Sequence, residues 1–494
     1  MFKAMQKLMN SQVNLLEIAR QAMLAKGLSP DFPSKVQAQL NRLQALVLDS
    51  SNERSDMTNK LWFSIDNDDS LDLDQLTYAE RINDHLIRVY VAIADVDALV
   101  KKDTPLDRHA LANTTSVYMP MIVFPMLPEK LSTNLTSLNP NEKRASIVVQ
   151  MDVEESGRVV DYHLFQSYVF NYAKLAYNSV DAWLETGALP PEPIQRIKEL
   201  ASQIRLQDEV AQRLKKHRQS LGFLTWETYD PQPIIKEGQV VDLQEVKINR
   251  ARELIENLMV AANTCITLFL QKTKCPIIKR VICHPKHWER IVQIADKHKF
   301  PLPLNPDSRA LENFLIKMRA EDPLNARDLF LVIIKLLGRG AYTVQSPADK
   351  PNQHFGLTLA PYTHATAPNR RYSDLIVQRL LKARLVNQTC PYSLSILQIM
   401  LQTCTEKEIC ADKAKRSVMK SVLALYLEDA IGKTFDAFLT GKGEKGNWIR
   451  LISTAIEGKL INGYQNIEVG DRLKVKLVSV NAEKGFLDFV QEKQ

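Results

Sequence analysis

The run LWFSIDNDDSLDLDQL, Leu61 to Leu76, sets the hardest condition this chain must meet: a strand-like apolar segment empties into a loop bearing Asp66, Asp68, Asp69, Asp72 and Asp74. Carboxylates so close repel one another. A fold keeps such a cluster when a multivalent cation neutralises it, and hard oxygen donors select Mg²⁺, Mn²⁺ or Ca²⁺ over zinc or copper. Asp72 and Asp74 lie two apart and project to one side of an extended segment, while Asp66 leaves the end of the preceding strand, so these ligands are expected to converge. An EF-hand loop counted from Asp66 would carry Leu71 where Gly is required and Thr77 where Glu is required, with no helix before it. A solvated acidic turn is the other reading of these residues taken alone.

At 494 residues the chain exceeds one ordinary core, and two or three domains are expected. Hydrophobic residues at 45% and charged residues at 24% suffice to bury a core and argue against long disordered tracts. The formal net charge of +7 suits a polyanion partner, and equally a well-solvated surface. The opening MFKAMQKLMNSQVNLLEIARQ has no continuous apolar stretch of a leader, and no later run is read as membrane-spanning, so a cytoplasmic protein without a membrane partner is expected. Cys265, Cys275, Cys283, Cys390, Cys404 and Cys410 form no CxxC pair, which predicts reduced cysteines, no structural zinc and no disulfide-linked partner. CHPKHW, with Cys283, His284 and His287, lacks a second ligand pair at finger spacing.

The pattern along the chain predicts an α+β fold in three parts. Residues 1–56 read as a small helical module, with Leu15, Ile18, Ala19 and Met23 on one face and a second helix from Val36 to Leu48. Residues 57–430 read as a large mixed-sheet domain. It has strands at LWFSID and HLIRVYVAIADV, a hairpin turning at Glu155 to Arg158, and helices at Ile194 to His217, Arg250 to Leu270, Asp328 to Leu337 and Ser393 to about Asp429. Residues 431–494 alternate short strands and turns, as an OB-type barrel does. GKGEKG, Gly441 to Gly446, matches GxGxxG, but a strand follows it where a nucleotide loop needs a helix, so it reads as a hairpin turn. Lys442, Lys445, Trp448 and Arg450 put charge and an aromatic on the face where such barrels touch single strands.

Across roughly residues 57 to 494 the chain resembles the ribonuclease II and ribonuclease R family of exoribonucleases. The resemblance rests on the Asp66 to Asp74 cluster, on AIADVDALVKKDTPLDRHALANTTSVYMPMIVFPMLPEKLSTNLTSLNPNE from Ala92, on LIENLMVAAN from Leu254, and on YTHATAPNRRYSDLIVQRLL from Tyr362. It implies a catalytic domain with an RNA channel, in which single-stranded RNA enters 3′ end first. It also implies a Mg²⁺-dependent two-metal hydrolase that releases nucleoside 5′-monophosphates; Mn²⁺ is the other candidate ion because of Gln75, and a monomer is expected.

Carried over position by position, Asp66, Asp72 and Asp74 look like three of the family's catalytic, metal-binding aspartates, and Arg370 in APNRRYSD like its catalytic arginine. A planar guanidinium suits charge developing on phosphoryl oxygens. Arg371 should point elsewhere, toward RNA or toward Asp374. Tyr118, Trp226 and Glu256 resemble residues that contact the RNA end, an ordinary core tryptophan being the alternative for Trp226 and pairing with Arg252 the alternative for Glu256; Asp95 reads as a supporting residue or a strand-end cap. The chain departs from the family pattern in two places. Gln75 stands where a fourth aspartate is expected, which implies weaker metal binding or a silent RNA-binding protein of the same fold. The N-terminal region is too short for the two cold-shock barrels of the best-known members.

Overall fold

A computed structural model describes residues 14–43, 54–221, 231–236, 239–245, 249–282, 285, 287–349, 363–443, 446–454, 456–463, 467–468 and 470–492. Helix α1 (Leu15–Ala25) is capped by Asn14, whose side chain accepts from the Glu17 N–H, and it buries Leu15, Ala19 and Met23 on one face. Helix α2 (Ser34–Arg42) buries Val36 and Leu40 and ends where Leu43 turns extended, before the expected Leu48, which lies outside the described residues.

The chain then builds β1 (Ser55–Asp56), β2 (Trp62–Asp66), β3 (Gln75–Arg81) and β4 (Leu86–Ala94). Helix α3 (Pro105–Asn113) and a small hairpin of β5 (Val117–Tyr118) and β6 (Val123–Phe124) follow, before β7 (Lys143–Glu154) and β8 (Val159–Ala176). The main sheet is mixed, in the order β1-β8-β2-β3-β4-β7, with β8 also paired to β7. Strand β8 reaches both because it is 18 residues long. Its first part runs antiparallel to β7, from Val159 opposite Val153 to Phe170 opposite Lys143, and its last part runs parallel to β2, with Ala176 opposite Asp66. The sheet thereby closes on itself, and Asp66 stands at the end of a central strand. At the β7–β8 turn Gly157 adopts φ +80°, and a Cβ there would collide with the Arg213 carbonyl.

Helices α4 (Tyr177–Thr186), α5 (Glu192–Arg196) and α6 (Leu200–Ser220) come next. The single helix expected from Ile194 to His217 is therefore broken: Ile197 is extended and Glu199 left-handed at φ +69°, which lets Ile194, Ile197 and Leu200 all pack toward the sheet core. A ribbon of β9 (Pro231–Lys236) and β10 (Gln239–Glu245) leads to α7 (Arg250–Lys272), which buries residues on nearly every side. By length and composition α7 could cross a membrane, contrary to the sequence reading, yet 72% of its apolar window is buried in the protein, as in a core helix.

Strand β11 (Ile277–Ile282), helices α8 (Trp288–Lys297), α9 (Ser308–Glu321) and α10 (Pro323–Leu337), and strand β12 (Gly340–Gln345) form a ribbon bearing a helical unit with its own core of Trp288, Phe314 and Phe330. Cys283 and His284 lie outside the described residues. Helix α11 (Tyr372–Leu385) enters the main core, and α12 (Leu394–Tyr426) runs from there to a closed barrel. The barrel order is β13-β14-β15-β17-β16, formed by β13 (Thr434–Gly443), β14 (Gly446–Leu451), β15 (Glu457–Asn462), β16 (Arg472–Asn481) and β17 (Phe486–Gln491). Gly443 pairs with Gly446 across the β13–β14 hairpin, and a hairpin is what GKGEKG was expected to make.

The cysteine expectation requires correction: Cys275 and Cys390 are joined in a disulfide, their Cα atoms 6.5 Å apart. They stand 115 positions apart, each a few residues beyond the end of a helix, α7 and α11, a proximity that CxxC spacing cannot reveal.

Beside that staple lies a buried ionic network. Arg379 binds Asp97 at 2.9 Å and Asp107 at 2.7 Å and donates to the Tyr392 hydroxyl, while Lys382 reaches Asp95 and Asp97, each at 2.9 Å. Asp95 also takes Arg54 and caps the turn at Ala98, so its strand-end role is structural. Removing one member leaves buried partners uncompensated. Arg379→Ala should cost about 3–5 kcal/mol in denaturant unfolding, and a loss below about 1 kcal/mol would refute this account of the network.

Candidate active site

The loop between β2 and β3 is held against the segment that precedes α11. Asp74, 1% exposed, accepts from the Asn369 backbone N–H at 3.1 Å through Oδ1 and from Arg370 Nε at 3.0 Å through Oδ2. Asn369 is itself fixed, taking the Thr136 hydroxyl at 2.5 Å on its side-chain carbonyl. The Arg370 carbonyl accepts from the Ser116 N–H at 3.0 Å, and the Tyr372 N–H donates to the Thr114 carbonyl at 2.8 Å. This short backbone ladder brings Tyr118, two residues beyond Ser116, to the acidic loop. The Tyr118 hydroxyl donates to Asp72, which also takes the Ser70 hydroxyl at 3.3 Å.

Asp66 accepts from the Asn67 N–H at 2.8 Å, and Asn67 in turn accepts from Arg252 of α7 at 2.7 Å. The Arg252 guanidinium lies 4.6 Å from the centre of the Tyr177 ring. Arg252 is therefore held by the loop and by Tyr177, and the pairing with Glu256 that was the alternative to an RNA contact is not seen among the described residues. Glu256, one turn along α7 and 54% exposed, instead approaches Arg218 at 3.9 Å. Arg371 turns inward and binds Asp374 at 2.7 Å, one of the two directions its position allowed.

Of the other expected contacts, Trp448 lies on β14 with Lys420 Nζ 5.5 Å from its ring centre and is 36% exposed, enough to offer a stacking face. Trp226 lies outside the described residues. Asn369, Asn67 and Tyr177 were missed in the sequence, since nothing in their spacing marks them; only the fold brings them to the loop.

The charges are unbalanced. Burial raises the Asp74 carboxyl to about 7, against the opposing attraction of Arg370, and Asp72 adds repulsion. Burial likewise raises Asp66, with Asp72 again adding repulsion. Arg370 is held more firmly charged by Asp74, Tyr118, Asp72 and Asp66 despite its desolvation, and its side chain remains 44% exposed. The donor set Asp66, Asp72 and Asp74 fits a hard cation in chemistry, because all three offer carboxylate oxygens and the raised carboxyls of Asp66 and Asp74 would gain from a positive ion. The geometry is looser than expected: among the described residues no three acidic, imidazole or thiol side chains converge at metal-binding spacing. Each aspartate takes the nearest protein donor instead, so a Mg²⁺ shell here would be completed by water and substrate oxygens. Gln75 opens β3 next to Asp74, and strand alternation turns its side chain to the opposite face.

The raised Asp74 carboxyl makes metal-free stability depend on pH. Between about pH 4 and 7 the folded protein holds a proton that the unfolded chain has released, so stability should fall as pH rises through this window and level off above it. In chelator, Asp74→Asn should flatten the slope by on the order of a few kcal/mol across that range. Equal slopes for the two proteins in urea unfolding from pH 5 to 8 would contradict the shift.

Comparisons with known proteins identify the family. The RNB domain model matches residues 54–387, and the RNase II-type exonuclease C-terminal S1 domain model matches residues 433–492. Ribonuclease R 2 of Lactococcus lactis is 26% identical over 97% of this chain and 75% of its own length. Ribonuclease R of Vibrio cholerae is 28% identical over 93% of this chain, which spans 59% of that relative. The solved structure of Mycoplasma genitalium RNase R in complex with ribose-methylated single-stranded RNA has the same fold, with a TM-score of 0.86 at 23% identity over 98% of this chain and 79% of that one. With an RNB domain over most of its length and an S1 barrel behind it, this chain belongs to the ribonuclease II and ribonuclease R family of exoribonucleases.

Proposed function

We propose that this chain hydrolyses single-stranded RNA from its 3′ end and releases nucleoside 5′-monophosphates with the help of a bound divalent cation. The observation that carries the reading is one cluster: Asp74 bound by Arg370 and Asn369, beside Asp72 bound by Tyr118. Arg370 keeps donors free of Asp74 Oδ2 and enough exposure to clamp the equatorial oxygens of a scissile phosphodiester as charge builds on them. Tyr118 offers its ring to the terminal base, where stacking is independent of base identity and worth about 1–3 kcal/mol. Asp66, Asp72 and Asp74 supply the negative set. The chemistry that Mg²⁺, or Mn²⁺ in its place, supplies when bound there is activation of the attacking water and neutralisation of the departing 3′-oxygen. Trp448 on the barrel would guide the strand, and Glu256 would meet the RNA end from α7.

A second reading, an RNA-binding protein of this fold with weak or no cleavage, is favoured by Gln75 and by the separation of the aspartates onto different partners. One assay separates them. A 5′-labelled RNA and its DNA counterpart are incubated with Mg²⁺, beside Asp74→Asn and Arg370→Ala. Laddering of RNA alone, abolished by Asp74→Asn and slowed about 10²–10³-fold by Arg370→Ala, is expected for the exoribonuclease. Bound but intact RNA at every time point would sustain the binding reading instead.

A further inference from the structure

The β5–β6 hairpin is too short to hold its own shape, since two-residue strands bury little by themselves. Its support comes from elsewhere. Val117, Met119 and Phe124 share one apolar cluster with Leu15, Ala19, Met23 and Leu28 of the N-terminal segment and with Ala411, Ala414, Val418 and Val422 of α12. Side chains alternate along the extended segment, so Val117 and Met119 are buried in this cluster while Tyr118 between them, 36% exposed, projects the other way and reaches Asp72. The two buried neighbours therefore set where the tyrosine ring stands.

Polar contacts bind the same pieces. The Ser29 N–H donates to the Asn113 side-chain carbonyl at 2.8 Å, and the Asn113 amide donates back to the Ser29 carbonyl at 2.8 Å. Asn113 precedes Thr114, whose left-handed φ of +60° turns the chain into the ladder with Arg370 and Tyr372. Lys130 extends the embrace by donating to the Leu40 carbonyl at 3.1 Å. The N-terminal segment thus braces one side of residues 113–124, and the arginine segment braces the other.

We infer that helix α1 is a positioning element for the RNA end, its buried face holding Val117 and Met119 so that Tyr118 stands at the acidic loop. Met23, fully buried within the cluster that α1 and the hairpin share with α12, is the residue that tests it. The inference rests on the exoribonuclease reading for its substrate, but its structural half does not.

Two measurements on the full chain test it. The first is affinity for a 5′-labelled oligoadenylate in EDTA, where no cleavage intervenes. Met23→Ala should weaken binding about fivefold, as expected for partial loss of one stacking contact, and the conservative Met23→Leu should stay within about twofold of the parent. In a Tyr118→Ala background Met23→Ala should add less than about 1.5-fold, because the contact it positions is already gone. The second is amide hydrogen exchange, which should quicken in residues 117–124 of Met23→Ala and stay unchanged in the barrel strands β13 to β17. Equal weakening in both backgrounds, or unaltered exchange in the hairpin, would overturn the inference. Should the parent fail to bind RNA at all, the exoribonuclease reading falls, and the exchange result alone still decides whether α1 positions the hairpin.

Discussion

A single carboxylate with almost no contact with water, that of Asp74, is the constraint to which the rest of this molecule answers. Its two oxygens join the start of β3 to residues almost three hundred positions later, one through a backbone N–H and one through a guanidinium. Neither bond is sufficient to offset the desolvation, as the raised carboxyl shows. The site is therefore built short of positive charge. A fold that tolerates this must hold the loop rigidly from outside: Asn369 is hydrogen-bonded to Thr136, and the backbone of Arg370 and Tyr372 is laddered to Ser116 and Thr114.

Helix α11 transmits that rigidity into the core. It begins with Arg371 against Asp374, continues with Gln378 donating to the Ala94 carbonyl at 2.7 Å, and ends its buried stretch with Arg379 and Lys382 in the aspartate network. Asp374, Gln378 and Lys382 recur every four residues as one polar stripe, in which Asp374 holds the arginine segment and Gln378 and Lys382 meet the end of β4, while Leu375, Ile376 and Leu380 fill the core. Buried ion pairs of this kind fix registry more than they raise net stability. The registry they fix is the one that sets Arg370 over Asp74.

Much of this was legible in the sequence for physical reasons that differ from part to part. Alternation and β-branched content located β2, β4, β7 and β8 and the turn at Glu155 to Arg158, because these are local properties. The acidic run and APNRRYSD stood out because clustered like charge and paired arginines are costly without a purpose. What escaped was non-local. The break at Ile197 to Glu199 depends on which residues must face the sheet, the Cys275–Cys390 staple on two segments just beyond helix ends meeting, and the partners of Arg252 and Glu256 on how α7 lies against the loop. Spacing alone offered Arg252 as an alternative partner for Glu256, while the loop and the Tyr177 ring hold the guanidinium instead.

The helical unit carried by the β11–β12 ribbon has a consequence for how such chains diversify. Ile282 and Gly340 are register partners, so the chain leaves the ribbon and rejoins it at facing positions, and the intervening helices close around their own aromatic core. Material attached at two adjacent points can be enlarged, trimmed or exchanged while the strands that carry it keep their pairing. The acidic loop and the arginine segment would not register the change. In this chain, then, the helical unit and the acidic loop occupy separate lengths of sequence, and the helical unit is bounded by a single pair of opposed residues.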